Sequence, residues 1–164
     1  MSILASLFSS TLYVQLSPDR LSVRNPKSGQ YFSEVPEVAI AHVPKPKIVG
    51  IGAEARMRAA EPSVEIVNPF GHPRTLVGDF TVGEQLLKAC FSRVNRSTWL
   101  SMAPRVVMHP LGDPAGGLTQ VEIRAFHEMA LGAGGSQVKV WQGRTLTDSE
   151  LLSGTFPAEG AVLS

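Results

Sequence analysis

Hydrophobic and polar positions between residues 104 and 142 follow the order expected for a strand, a helix and a second strand. Residues 104–109 hold a β-branched apolar run, and residues 137–141 alternate between polar and apolar side chains. Between them, Thr119-Gln120-Val121-Glu122 has the Thr-x-x-Glu spacing of a capping box, which satisfies backbone donors left open at a helix start. The pattern predicts a βαβ unit with parallel strands, whose helix ends at Gly132.

Shorter patterns predict an antiparallel meander before this unit. Residues 11–16 and 21–24 read as the two strands of a hairpin, because Pro18 and Asp19 between them favour a turn. Further elements are predicted as extended stretches at residues 35–43, 47–51 and 65–67, and as a short helix over residues 52–60.

Two more helices are predicted from the same capping signal. Thr81 and Glu84 form a Thr-x-x-Glu pair ahead of a stripe of apolar side chains that continues to Val94 at helical spacing. This stripe is typical of a helix face that packs into a core. Thr147 and Glu150 repeat the pair and predict a last, short helix.

Composition indicates one globular domain over residues 11–154. A chain of 164 residues with 43% hydrophobic and 18% charged side chains can bury a core of its own. A short amphipathic helix is predicted over residues 1–10. Residues 155–164 form a C-terminal tail with no pattern that demands burial, so we expect this tail to fray.

Charge and cysteine content exclude several classes of function. A formal net charge of +1 gives no field that would concentrate nucleic acid, so no nucleic-acid partner is expected. The single cysteine, Cys90, cannot form an internal disulfide, which favours a reducing compartment such as the cytoplasm. No apolar run approaches the roughly 20 residues that a spanning helix needs.

The first ten residues allow two interpretations. Ile3, Leu4, Leu7 and Phe8 would share one face of a short helix, which could make a peripheral contact with a membrane surface. The same face could instead pack on its own domain, because the segment carries no Lys or Arg to hold anionic headgroups.

Candidate chemistry is sparse. The four histidines do not approach one another at the spacing of metal ligands, and no cysteine cluster accompanies them, so no metal site is predicted. Gly116 and Gly117 precede the predicted helix start at Thr119, where backbone N–H groups could bind an anion. No Lys-Ser or Lys-Thr follows them as in a P-loop, so this anion-site signal is weak.

The predicted elements, together with particular residues, resemble the amino-terminal half of MreB, the bacterial actin-like cell-shape protein family. The matching blocks are Pro104-Arg105-Val106-Val107, Thr119-Gln120-Val121-Glu122 and Ala130-x-Gly132-Ala133-Gly134. The resemblance implies an α/β fold of the ribonuclease-H-like (actin-like ATPase) class. Its mixed sheet would have antiparallel N-terminal strands, then a parallel βαβ unit, with flanking helices.

The resemblance also implies that ATPase machinery is lost. Where the family has Asp-x-Gly-Thr after its first strand, this chain has Gln15-Leu16-Ser17-Pro18. Gln15 lacks the carboxylate charge, Ser17 lacks the freedom of glycine, and Pro18 has no N–H for a phosphate. No counterpart of the family's second phosphate loop follows Gly154. Glu122 falls on the family residue that positions the attacking water, but it is here only a vestigial catalytic candidate, because it also closes a capping box.

These observations lead to a non-catalytic MreB-like protein that binds or regulates cell-shape filaments in the cytoplasm or at the inner face of the membrane. Arg56 and Arg58 on the short helix, with the loop at residues 68–78, are the expected partner contacts. The alternative is a nucleotide- or phosphate-binding protein that holds ATP with Mg²⁺ in a site completed by self-association, with Glu122 and residues 112–117 lining it. A third hypothesis is a non-functional remnant or a structural adaptor for an unrelated partner.

Overall fold

The computed structural model describes residues 9–96, 102–112 and 114–164. The strands in these ranges are β1 (Thr11–Leu16), β2 (Leu21–Arg24), β3 (Tyr31–Glu34), β4 (Val38–Ala41), β5 (Lys47–Ile51), β6 (Val64–Val67), β7 (Arg105–Pro110), β8 (Gln137–Gln142) and β9 (Ala161–Val162). The helices are α1 (Ala53–Met57), α2 (Phe80–Val94), α3 (Gln120–Gly132) and α4 (Asp148–Ser153). Within the described ranges, no helix is long and apolar enough to cross a bilayer.

The strands form two sheets. The first has the order β3-β2-β1-β7-β8-β9, in which β1, β7 and β8 are parallel and the other neighbours are antiparallel. The second has the order β5-β4-β6 and is antiparallel. The predicted βαβ unit and the mixed sheet are therefore confirmed. The prediction of one continuous meander is wrong, because the chain leaves the first sheet after β3 and starts the second.

Both faces of the first sheet are covered, which is visible in the alternation along β1. Leu12, Val14 and Leu16 point to one face and join the main core beneath α2 and α3. Tyr13 points to the other face, where it packs with Trp141 under the chain around α4. The main core also takes in side chains from the second sheet, so the two sheets share one hydrophobic interior.

The α2 helix packs closely on α3. A Cβ built at Gly83 would lie 2.9 Å from the Sδ of Met129, so a small residue is needed where the helices approach. Cys90 lies on the same buried face of α2, and burial raises the pKa of its thiol to about 12. The apolar stripe predicted for this helix is therefore its core face.

The start of α2 differs from the prediction. Asp79, with extended backbone, is the N-cap, and its carboxylate accepts a hydrogen bond from the Val82 N–H at 3.0 Å. Thr81 lies exposed inside the first turn. The Thr81–Glu84 spacing was therefore misleading, because Asp79 reaches the open donors two residues earlier. The boxes at Thr119 with Glu122 and at Thr147 with Glu150 are both confirmed.

Two short strands were not predicted. β3 pairs with β2 at the edge of the first sheet, and the stretch predicted over residues 35–43 reduces to β4. The tail also differs from its prediction: residues expected to fray form β9, where the Leu163 N–H donates to the Val140 carbonyl at 2.8 Å. The tail packs so closely against β8 that a Cβ at Gly160 would collide with the indole of Trp141.

Candidate functional site

The parallel strands β1 and β7 end side by side, with Leu16 opposite Pro110, and the chain that leaves β1 turns back at once. The Ser17 N–H donates to the Arg20 carbonyl at 2.9 Å, and the Arg20 N–H donates to the Ser17 carbonyl at 3.4 Å. The Pro18 carbonyl accepts from Nδ2 of Asn68 at 2.9 Å. This turn is thus closed by hydrogen bonds within the protein, and its proline has no N–H to offer a ligand.

Glu122 lies in the first turn of α3, beyond the same end of the sheet. Its Oε2 accepts hydrogen bonds from the Thr119 N–H at 3.0 Å and from the Thr119 hydroxyl at 2.9 Å. The Glu122 N–H donates in return to the Thr119 Oγ1 at 3.2 Å. One carboxylate oxygen is therefore engaged in capping the helix.

The second oxygen of Glu122 holds the loop that precedes α2. Its Oε1 accepts from the Leu76 N–H at 3.0 Å and from the Thr75 hydroxyl at 3.2 Å. Desolvation acts to raise the pKa of Glu122, but the hydrogen bonds from Thr119, Leu76 and Thr75 outweigh it, and the net effect is a lowered pKa. The charged carboxylate thus connects the start of α3 to the loop before α2, and both of its oxygens accept hydrogen bonds.

In the loop that holds Gly116 and Gly117, backbone N–H groups also donate to acceptors within the protein. Gly116 and Gly117 have φ of +86° and +76°, a conformation that favours glycine. The Gly117 N–H donates to the Pro114 carbonyl at 2.7 Å, and the Thr119 N–H donates to Glu122. The structure thus brings Thr119 and Glu122 together with Thr75, but directs the N–H groups of Gly117 and Thr119 toward protein acceptors instead of outward.

A buried polar pair beside this end of the sheet was not found from the sequence. The Tyr13 hydroxyl lies 2.6 Å from Nδ1 of His109, and Nε2 of His109 lies 3.0 Å from the Gly143 carbonyl. Since that carbonyl can only accept, Nε2 carries the proton and the Tyr13 hydroxyl donates to Nδ1. The same hydroxyl accepts from the Leu146 N–H at 3.2 Å. These bonds fasten the chain before α4 onto the sheet.

The ionisation of this pair follows from its burial. Desolvation lowers the pKa of His109, and the bond to the Gly143 carbonyl opposes that change only in part. Desolvation likewise raises the pKa of Tyr13, against the hydrogen bond from Leu146 and the charge of Arg24. Both rings are therefore held neutral, as a buried, hydrogen-bonded pair should be.

The two arginines expected to contact a partner are paired within the chain, Arg56 in α1 and Arg58 directly after it. Nε of Arg56 donates to Oε2 of Glu37 at 2.6 Å, and Arg58 pairs with Glu61 at 3.2 Å. Between them Met57 is 77% exposed, which is unusual for so large an apolar side chain. Met57 could not be singled out from the sequence, because the pattern of a short helix does not show which of its positions is exposed.

Ile3, Leu4, Leu7 and Phe8 lie outside the described residues, so the membrane-contact hypothesis remains a prediction. Within residues 9–96, 102–112 and 114–164, no three His, Cys, Asp or Glu side chains gather as metal ligands would.

The amino-acid sequence of this chain is similar to those of known proteins. A family model described as "MreB/Mbl protein" matches residues 13–147. The cell shape-determining protein MreB of Haemophilus influenzae is 30% identical over 135 residues, which are 80% of this chain and 37% of that protein. An uncharacterized protein of Escherichia coli, YjaA, is 38% identical over 69 residues, which are 39% of this chain and 54% of that one.

Solved structures give the same result for the fold. MreB 5 of Spiroplasma citri bound to AMPPNP superposes with a TM-score of 0.62 at 17% identity, over 80% of this chain and 38% of that one. A non-polymerising mutant of MamK bound to AMPPNP gives a TM-score of 0.61 at 13% identity, over 80% of this chain and 40% of that one. The fold is thus actin-like, and the chain spans about two fifths of the length of these solved relatives.

Proposed function

Because the chain belongs to the MreB/Mbl family, we propose that it acts on the cell-shape cytoskeleton through protein contacts and without hydrolysing nucleotide. It would dock on filaments of an MreB-family protein, as a cap or regulator, and would do so in the cytoplasm, where such filaments would be reached. The family membership supports the relation to the cytoskeleton. The non-catalytic role is our inference from the geometry at the ends of β1 and β7.

The turn after β1 carries this inference. In the resemblance described above, an Asp-x-Gly-Thr at this place binds phosphate, whereas here Ser17 and Arg20 bond to each other and the Pro18 carbonyl is taken by Asn68. A phosphate needs open backbone N–H groups and a magnesium ion needs oxygen ligands. Gln15 supplies no carboxylate charge, and its side-chain amide donates to the Thr145 hydroxyl at 3.2 Å. The turn favours a structural over a nucleotide-binding role.

Glu122 supports the same conclusion. A residue that positions an attacking water needs a free oxygen facing the substrate, but both oxygens of Glu122 accept hydrogen bonds from Thr119, Thr75 or Leu76. These hydrogen bonds give Glu122 a structural role that requires no catalysis. The turn after β1 and the Glu122 carboxylate thus both make structural hydrogen bonds at places where the family would bind phosphate or position water.

A surface on the second sheet suits a protein partner. We define the α1 surface as Val49, Glu54, Met57, Arg58 and Glu61, which together line a shallow groove. Met57 supplies an exposed apolar centre, and Arg58 with Glu61 supplies a charged rim. An apolar centre with a polar rim is the usual anatomy of a protein interface. We propose that this surface meets the filament.

Co-sedimentation with a polymerised MreB-family protein from the same organism tests both parts. The wild-type chain should pellet saturably with filaments, and Met57→Glu should remove most of the pelleting because a charge replaces the apolar centre. Val121→Glu is the matched control, since Val121 is 78% exposed on α3, away from this surface. Lipid vesicles without filaments show whether any pelleting comes from membrane contact.

Two results would contradict the proposal. If the wild-type chain remains in the supernatant while the filaments pellet fully, the proposed docking is wrong. If the Met57→Glu and Val121→Glu variants pellet equally well, docking is supported but the α1 surface is not its site.

A further inference from the structure

A cavity of about 80 Å³ lies on the face of the first sheet opposite α2 and α3. It is bounded by the amino ends of the parallel strands and by the chain at and after α4. Thr11 pairs with Arg105 across β1 and β7, and Arg105 pairs with Gln137 across β7 and β8. Their side chains therefore stand next to one another at the far end of the sheet from the turn after β1.

The polar side of this cavity is cationic. Arg105 lines it and donates from Nη2 to the Thr11 hydroxyl at 3.1 Å, while its Nε is buried with no hydrogen-bond acceptor. Lys139 also lines it, with Nζ 4.8 Å from the centre of the Phe156 ring. Neither cation pairs with a carboxylate in the described part of the chain. Two neighbouring cations that pair with no carboxylate are an arrangement that an anion would complete.

The other side of the cavity is apolar. Val107, Leu151 and Phe156 line it, and all three belong to or pack on the smaller hydrophobic cluster of this face. The volume has room for several water molecules and thus for a ligand of a few heavy atoms. A planar carboxylate fits the fork of a guanidinium, and a short hydrocarbon fits the apolar wall.

We propose that this cavity binds a small organic carboxylate. The carboxylate lies between Arg105 and Lys139, and its short apolar chain packs against Leu151 and Phe156. The site is separate from the α1 surface and from the turn after β1, so it adds a ligand to the chain whether or not the chain docks on filaments.

Titration of sodium isobutyrate into the ¹⁵N-labelled full chain tests the site, with sodium chloride holding the ionic strength constant. The side-chain Nε–H signal of Arg105 and the backbone amide of Lys139 should shift saturably. A ligand with so few heavy atoms should bind with a Kd of about 1–10 mM. Lys139→Gln should weaken binding about tenfold and Arg105→Gln should abolish it. Lys88→Gln on the opposite side of the sheet should leave the titration unchanged.

Three outcomes would overturn the proposal. The first is the absence of saturable shifts at Arg105 in the folded wild-type chain. The second is an unchanged titration in Lys139→Gln, a variant of an exposed residue that should fold normally. The third is an equal response to inorganic phosphate at the same concentration, which would indicate a general anion effect and no role for the apolar wall.

Discussion

At the scale of single residues, the buried hydrogen bond between Tyr13 and His109 couples the stability of the fold to pH. Burial lowers the pKa of His109, so the folded chain binds a proton at this ring less readily than the unfolded chain does. The stability contributed by the neutral ring is thus fully present above the unfolded pKa of about 6.5. It is lost as the pH falls from there toward the lower folded pKa.

We therefore predict that the free energy of unfolding, measured in urea, decreases between about pH 7.5 and about pH 5.5. His109→Gln should remove most of this decrease, because glutamine can donate to the Gly143 carbonyl but does not titrate. His72→Gln is the control, since His72 is an exposed histidine in the loop before α2. An equal pH dependence in His109→Gln and the wild type would show that other groups cause the decrease.

Residue roles were predictable only where the partners are local. Thr119 and Glu122 are three positions apart, and their capping box was predicted from that spacing. Tyr13 and His109 are 96 positions apart, and Glu122 meets Thr75 across 47. Nothing in a local pattern records such contacts, because the sheet register and the loop path that create them are set by the whole fold.

At the scale of elements, two residues near the start of α2 could each cap the helix: Asp79, which does so in the structure, and Thr81, which the sequence pattern predicted. We predict that Asp79→Ala lowers the free energy of unfolding by about 1 kcal/mol, because the Val82 N–H loses its acceptor. Thr81→Ala should change it by less than about 0.5 kcal/mol, because an exposed position in the first turn tolerates alanine. Urea unfolding at one pH measures both. A larger loss in Thr81→Ala would restore the predicted box and remove Asp79 as the cap.

The elements that the sequence could predict are those with a regular hydrophobic pattern of their own. Helices with a long apolar stripe, such as α2 and α3, and strands with dense β-branched residues, such as β7, were identified from their periodicity. β3 and β9 were missed because they are short edge strands, whose pairing depends on a neighbour and not on their own pattern. The split into two sheets was missed for the same reason, since β3 and β4 are separated by only a few residues and no local signal assigns them to different sheets.

At the scale of the whole molecule, the closed turn after β1 and the occupied Glu122 carboxylate argue against nucleotide binding by this chain. We predict that calorimetric titration with Mg-ATP gives no saturable heat at millimolar nucleotide. Glu122→Ala provides the informative comparison, provided that its circular dichroism shows an intact fold. Its titration should be as flat as that of the wild type.

Saturable heat in the wild type that disappears in Glu122→Ala would contradict this prediction. It would favour the alternative in which a second copy completes a phosphate site near residues 112–117. Sedimentation at the same nucleotide concentration would then reveal a nucleotide-dependent dimer, because the site needs both copies.

The two-residue strand β9 has a consequence for how copies of this sheet can join. At one edge of the first sheet, β9 pairs with Trp141 and Gln142, and the residues that follow β9 bond the Val140 N–H and carbonyl. In the described part of the chain, β3 is the opposite edge of this sheet. The edge at β3 is four residues long and the edge at β9 only two, so β3 offers an incoming strand more backbone to pair with. Addition of a strand to this sheet is therefore expected at β3 in preference to β9.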